Sequence, residues 1–419
     1  MSATSAVPTQ SVADTDEIRS HFPSMTRMHR GHPVAYLDGP GGTQVPRAVV
    51  DRMTEYLYHH NANTHWRYPT SAETDDLIAD ARQALADLVN GAPDEIAFGA
   101  NMTTLTFHVA RGLGRAWNEN DEVVVTELDH HANVAPWRAL ERERGVKVVV
   151  ARMRAEDGTL DMDDLGRKLS ARTRLVAIGA ASNALGTMVD VPRIAAMARA
   201  RKALVFLDAV HYAPHALVDV QTLDCDFFVC SPYKFYGPHI GALWGKRSLI
   251  ERLDIPKLAP APDESPERLE TGTQNHEGIV GAGAAVDYLA SLSGWAGGTG
   301  RRDALAATFT ELHKRGAALF RTLWDGLGEV RGVRRFGLPP DRKRTPTLAF
   351  RLDGKSPDDV AIALAERGLF VSHGDFYAAT VIERLGVGPD GVVRVGCSVY
   401  TNNTEIERVI RAVGEVARN

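Results

Sequence analysis

Cysteine is scarce in this chain. Its 419 residues include three, Cys225, Cys230 and Cys397. An odd count at spacings that match no zinc pattern excludes a disulfide scaffold and a structural zinc domain. A basic surplus is lacking too: 48 Lys and Arg stand against 53 Asp and Glu, a formal net charge of -5. A nucleic-acid partner, which needs a basic patch or stripe, is therefore not expected. No run approaches the roughly 18 apolar residues that cross a bilayer, so no membrane partner is expected either. The first residues show no basic stretch followed by an apolar one, so no secretion signal is expected. A reducing cytoplasm is the expected compartment. What is present is 44% hydrophobic and 24% charged residues, the mix of a globular protein with a full core. The length suggests two domains, or a large one with a smaller one attached, and an interior able to hide a cofactor.

Residues 1–14 are small and polar and read as a disordered tail. From Pro93 the chain alternates short apolar runs with helix-like stretches. The runs are 95–99, 122–127, 147–151, 174–180, 203–209 and 226–231. Their hydrophobicity is continuous rather than alternating, as in strands buried on both faces. Strand–helix alternation of this kind predicts a mainly parallel sheet wrapped by helices. One step departs from it. Residues 232–240 contain two prolines and a glycine and cannot supply the helical crossover that a parallel connection needs. The strand near 241–245 is therefore expected to run antiparallel. Beyond about Gly294 the pattern changes to a long helix from Arg302 to about Trp324, stopping before Gly326, then short strands and a last helix. Residues 36–294 are assigned to the large domain, and 15–35 with 295–419 to a smaller α+β domain.

Five strand ends carry chemistry. The run ALVFLDAVH ends a strand at Asp208, with His211 three residues on. Ligands of open α/β sheets sit beyond the carboxyl ends of the strands, although an Asp there also serves as an ordinary helix cap. In DFFVCSPYKFYGP, Lys234 lies among aromatics at the end of the next strand. Desolvation makes such an amine neutral and nucleophilic, unless it is simply a surface lysine in a loop. An acid and a lysine on consecutive strands are what pyridoxal 5'-phosphate requires: an imine partner and a partner for its pyridinium nitrogen. Met102 and Thr103 open a helix after the first strand, a place for a phosphate or an ordinary capped terminus. His130 follows the second strand and is placed to lie flat on a cofactor ring. His130 and His131 are adjacent and point differently, so no metal is expected. Asn183 follows the strand RLVAIGA, either as a ligand to the cofactor or substrate or as a plain turn residue.

With YLDGPGGTQ, DHHANVAPW, SNALGT, LDAVH, SPYKFYGP, RLETGTQN and VVRVGCSVYTN, the chain resembles the class V aminotransferase group of fold-type I pyridoxal-phosphate enzymes. Within that group it is similar to the cysteine desulfurases of sulfur mobilisation, from about Ile18 to the C-terminus. The resemblance implies a mainly parallel seven-stranded sheet with a smaller α+β domain, an amino-acid substrate and a homodimer with shared active sites. It implies Lys234 as the Schiff-base lysine, Asp208 as the pyridinium partner, His130 as the stacking ring and Asn183 as the active-site asparagine. His211 stands where desulfurases usually have glutamine, and Tyr233 where many relatives have histidine. The resemblance further implies Met102, Thr103 and Ser231 at the phosphate turn, Thr273 as a residue that reaches the neighbouring subunit's phosphate, and Arg394 as the clamp on the substrate carboxylate.

One departure stands out. The resemblance places a catalytic cysteine in a small-domain loop, which here reads Gly374-Asp375-Phe376-Tyr377-Ala378. A phenol with a reference pKa near ~10 does not accept sulfur as a thiolate does. The expected chemistry is an external aldimine and α-carbanion leading to β-elimination without a persulfide cysteine, with transamination or epimerisation as alternatives and a cofactor-free scaffold as another. His373, Asp375 and Tyr377 are the expected route-selecting groups. Residues 61–70, with His65, Trp66 and Arg67, are expected near the cleft.

Overall fold

The computed structural model describes residues 11–418; the first ten residues of the expected tail lie outside the described residues. Ser11–Asp14 run against the body. The Ala13 N–H donates to the Leu292 carbonyl at 2.7 Å, and Arg315 Nη1 donates to the Ala13 carbonyl at 2.6 Å.

Seven strands build the main sheet: β1 (Ile96–Gly99), β2 (Glu122–Thr126), β3 (Lys147–Ala151), β4 (Thr173–Gly179), β5 (Leu204–Asp208), β6 (Phe227–Cys230) and β7 (Gly241–Gly245). Their order is β1-β7-β6-β5-β4-β2-β3. Neighbours from β3 to β6 pair in parallel. The expected reversal is present: β7 runs antiparallel between β6 and β1, because only a single 3₁₀ turn at Pro232–Lys234 fits the connection. Continuous hydrophobicity has the expected cause. Val124, Val176, Val205, Leu207 and Phe228 face one core, while Val123, Val125, Leu175, Phe206 and Phe227 face another on the opposite side.

The second sheet is antiparallel, with β8 (Val333–Phe336), β9 (Thr347–Leu352), β10 (Ser372–Gly374) and β11 (Val392–Gly396) in the order β8-β9-β11-β10. Two helices besides α1 (Met102–Gly114) matter below: α2 (Arg301–Gly328) and α3 (Asn403–Arg418). Leu323 and Leu327 of α2 and Val409 and Val413 of α3 pack with Phe350 and Val395 in a third core. The helix α2 does not stop before Gly326, as its glycine suggests, but runs through it. A Cβ on Gly326 would overlap the Ile410 side chain of α3, so the glycine serves a close helix–helix approach. The apolar run LFVSHG, 369–374, has the pattern of a single strand but divides at Val371. Leu369–Phe370 pairs in parallel with Ala35–Tyr36, and β10 joins the small sheet. The N-terminal segment is thus stitched to the C-terminal part, with Arg19 adding an ion pair to Glu405 at 2.9 Å. No described helix is long and apolar enough to cross a membrane.

The antiparallel β7 brings its first residue under the turn that follows β1. Gly241 pairs with Gly99, and a Cβ on Gly241 would sit 2.7 Å from the Met102 nitrogen. Gly241→Ala is expected to push the Asn101–Met102 turn outward and cost about 1–3 kcal/mol. Denaturant unfolding checks the stability, and a cofactor titration checks whether the turn's displacement also weakens binding.

Candidate active site

A cavity of about 590 Å³ opens beyond the carboxyl ends of the parallel strands. Five of the strands deliver its walls. The turn after β1 supplies Met102 and Thr103, with Asn101 capping α1 by accepting from the Thr104 N–H at 2.9 Å. The end of β2 supplies His130, β4 supplies Asn183, β5 supplies Asp208 and His211, and β6 supplies Tyr233 and Lys234. The second sheet and its loop close the space with Phe376, Tyr377 and Arg394.

Burial sets the electrostatics. Lys234 is 8% exposed, and desolvation, reinforced by the Arg394 charge, lowers its pKa to about 8. Its Nζ donates to the Pro40 carbonyl. Asp208 is 7% exposed. Burial raises its pKa to about 6, although Val210 N–H donates to it at 3.0 Å and Lys234 favours its charge. His130 is lowered to about 4 by burial and then by Lys234. Its Nδ1 accepts from the Ala132 N–H at 3.0 Å, so the neutral ring carries its proton on Nε2. His211 is held neutral by burial, and its Nε2 lies 3.0 Å from Thr345 Oγ1. Tyr233 stacks on His239, ring centroids 4.7 Å apart.

Arg394 is 3% exposed and fully engaged. Its Nη2 donates to Asp38 at 2.9 Å, Nη1 to the Asn183 carbonyl at 3.0 Å and Nε to Ser372 Oγ at 3.2 Å. The Phe376 ring centroid lies 3.9 Å from its Cζ. Asn183 Nδ2 donates to the Phe376 carbonyl at 2.9 Å. Phe376 and Tyr377 both have left-handed backbones, φ 55° and 57°, a strained pair for residues with large side chains. The Tyr377 carbonyl accepts from the His131 N–H at 2.8 Å, and the ring is 74% exposed at the cavity mouth.

Other expected residues lie elsewhere. Ser231 is buried just before Lys234 but does not line the cavity. His373 turns toward Asp358, 3.3 Å away. Asp375 accepts from the Tyr377 N–H at 2.9 Å, and neither His373 nor Asp375 lines the cavity. No residue of segment 61–70 lines the Lys234 cavity. His65 borders a separate depression of about 1230 Å³ that it shares with Thr273, held there by Asp75, whose Oδ2 accepts the His65 N–H at 2.9 Å.

Sequence reasoning missed three residues. Asp38 and Phe376 hold Arg394 from distant points of the chain. Asp129 accepts from Thr126 N–H at 2.7 Å and from Gly179 N–H, tying the end of β2 to the end of β4. Burial raises its pKa to about 7. An acid immediately before paired histidines at a strand end was the available signal for Asp129; Asp38 and Phe376 left none.

The raised Asp208 pKa means that folding favours its protonated form, so this contribution to stability is lost as pH rises from about 4 to about 6. In the cofactor-free protein at pH 8.5, Asp208→Asn is expected to raise stability by about 1–3 kcal/mol. The same change is expected to weaken pyridoxal-phosphate binding. Melting curves with and without the cofactor measure both.

The aminotransferase class-V family model matches residues 35–409. A cysteine desulfurase of Pectobacterium atrosepticum is 33% identical over 96% of this chain and 98% of its own length. A probable cysteine desulfurase of Pseudomonas putida is 32% identical over 95% and 97%. Among solved structures, the apo cysteine desulfurase of Thermococcus onnurineus NA1 superposes with a TM-score of 0.86 at 26% identity, covering 100% of both chains. A cysteine desulfurase of Escherichia coli, in an S-sulfonic acid form, gives 0.83 at 26% identity over 97% and 99%.

Proposed function

The chain belongs to the class-V aminotransferase family of pyridoxal-phosphate enzymes, and from that premise we propose that it is a cysteine desulfurase-like lyase that expels a β-substituent without passing sulfur through a protein thiol. The burial of every thiol carries this reading. Cys225, Cys230 and Cys397 are buried, and desolvation pushes each up to about 12. None lines the cavity, whose small-domain loop presents Phe376 and Tyr377 instead. A thiol so held is not a thiolate at neutral pH and takes up no sulfur.

The cavity fits the cofactor by its own incomplete polar atoms. His211 Nδ1 and Asn183 Oδ1, both of cavity-lining residues, are buried without a partner, an arrangement that a polar guest completes; Ser231 Oγ, just behind the cavity wall, is unpartnered too. Lys234 would hold the cofactor through its amine, Asp208 at the pyridine nitrogen, and the α1 turn with Thr103 and Ser231 at the phosphate. When bound, pyridoxal phosphate supplies a sink for the electron pair left by the departing α-proton. In this reading Lys234 takes that proton at Nζ, an assignment supported by its pKa near 8. Arg394 holds the α-carboxylate, and the neutral His130 ring covers the site. The Tyr377 phenol, at the mouth, gives its proton to the leaving group as the Cβ bond breaks. The products are the protonated leaving group and an enamine that water converts to a keto acid and ammonia.

We also assign a homodimer with shared active sites. Support comes from Thr273, which is exposed and borders the separate depression rather than its own Lys234 cavity.

With L-cysteine and other β-substituted amino acids, the expected products are keto acid and ammonia, with no alkylatable persulfide on the protein. Replacing all three cysteines by alanine is expected to leave turnover in place, whereas Lys234→Ala abolishes it together with the visible band. Alanine as product, lost with the cysteines, overturns the reading. Sedimentation at twice the chain mass, and Thr273→Ala weakening cofactor binding about tenfold, check the dimer.

A further inference from the structure

One nitrogen of the Arg394 guanidinium already holds a carboxylate of the chain itself. Asp38 Oδ1 accepts from Arg394 Nη2 at 2.9 Å and from Ser372 Oγ at 2.7 Å, while Ser372 Oγ accepts from Arg394 Nε at 3.2 Å. The third guanidinium nitrogen is bound to the Asn183 carbonyl, and Phe376 covers one face. Among these partners only Asp38 is anionic, and its side chain is 42% exposed. It is therefore the partner that can leave for water.

The strap that carries Asp38 also touches Lys234. Its Asp38 carbonyl accepts from the Gly41 and Gly42 N–H groups at 2.9 and 3.0 Å, a tight turn that puts the Pro40 carbonyl on Lys234 Nζ. Gly41 has no room for a side chain, because a Cβ there would overlap the Asp38 carboxylate. Asp38 and Gly396 are joined by a β-bridge, so the strap is anchored on the strand that bears Arg394.

We propose that Asp38 is an internal stand-in for the substrate carboxylate, a positioning and selecting residue that keeps Arg394 neutralised until an incoming carboxylate displaces it. This inference rests on the assignment of Arg394 as the carboxylate clamp. A buried cation left without a counter-charge is costly, so the empty site needs Asp38. The exchange is carboxylate for carboxylate. A neutral ligand offers the guanidinium no charge and does not drive it.

The test uses the holoenzyme and 2-aminoisobutyrate, which has no α-hydrogen, with its carboxamide as the uncharged control. Calorimetry gives the Kd of each. Asp38→Asn is expected to bind 2-aminoisobutyrate about tenfold more tightly and the carboxamide as the parent does; Asp38→Ser acts in the same direction. For turned-over substrates KM falls without a rise in kcat. Unchanged or weaker carboxylate binding in both variants, or an equal change for the carboxamide, overturns the proposal. Arg394→Gln separates the premise: if it binds the carboxylate as well as the parent protein does, the clamp assignment itself fails.

Discussion

Desolvation of a few charges at one edge of the sheet is the constraint on which the rest of this structure depends. Lys234, Asp208 and Arg394 are each less than a tenth exposed. Their charges reach one another, because the low-dielectric surroundings screen them little. A lysine alone in such a place would lose its proton, and an aspartate alone would keep one. Desolvation, with the Arg394 charge behind it, brings the amine down to about 8 against the pull of Asp38 and Asp208, and desolvation brings the acid up to about 6 against the Val210 N–H and the Lys234 charge.

Holding these groups in place requires rigidity from both sheets. The parallel strands fix Asp208 and the approach to Lys234 by backbone pairing, Ala209 N–H donating to the Val229 carbonyl at 2.9 Å. Asp129 locks the ends of β2 and β4, so His130 and Asn183 keep their places. From the other side, β11 carries Arg394 into the same space, and the loop with Phe376 presses on it. The strained backbone of that loop is affordable because Asn183, His131 and Asp375 each take a hydrogen bond with it.

Much of this was legible in the chain. The buried strands, the reversal at β7 and the strand-end positions of Asp208 and Lys234 follow from runs of apolar residues and from two prolines, which are local signals. What was not legible depends on tertiary approach. Gly326 reads as a helix stop until Ile410 is seen against it. Leu369–Phe370 and Ser372–Gly374 read as one strand until their partners prove to lie in different sheets. Asp38 and Arg394 meet across 356 positions, a separation at which no periodicity carries information. The positive φ values of Phe376 and Tyr377 have no signature in residue type, since both are residues that normally avoid that region.

The stitch between the two ends of the chain bears on how the molecule is made. Ala35–Tyr36 finds its strand partner in Leu369–Phe370, and Arg19 finds its counter-charge in Glu405. During synthesis the early segment leaves the ribosome first and must stay unpaired while the whole of the large sheet is produced. Units fold most readily when their residues are contiguous, and this pairing joins opposite ends of the chain. It is therefore a late event that waits on the final helix. All seven strands of the large sheet are made before Arg394, so the wall that Phe376 and Arg394 give the cavity is the last of it to leave the ribosome.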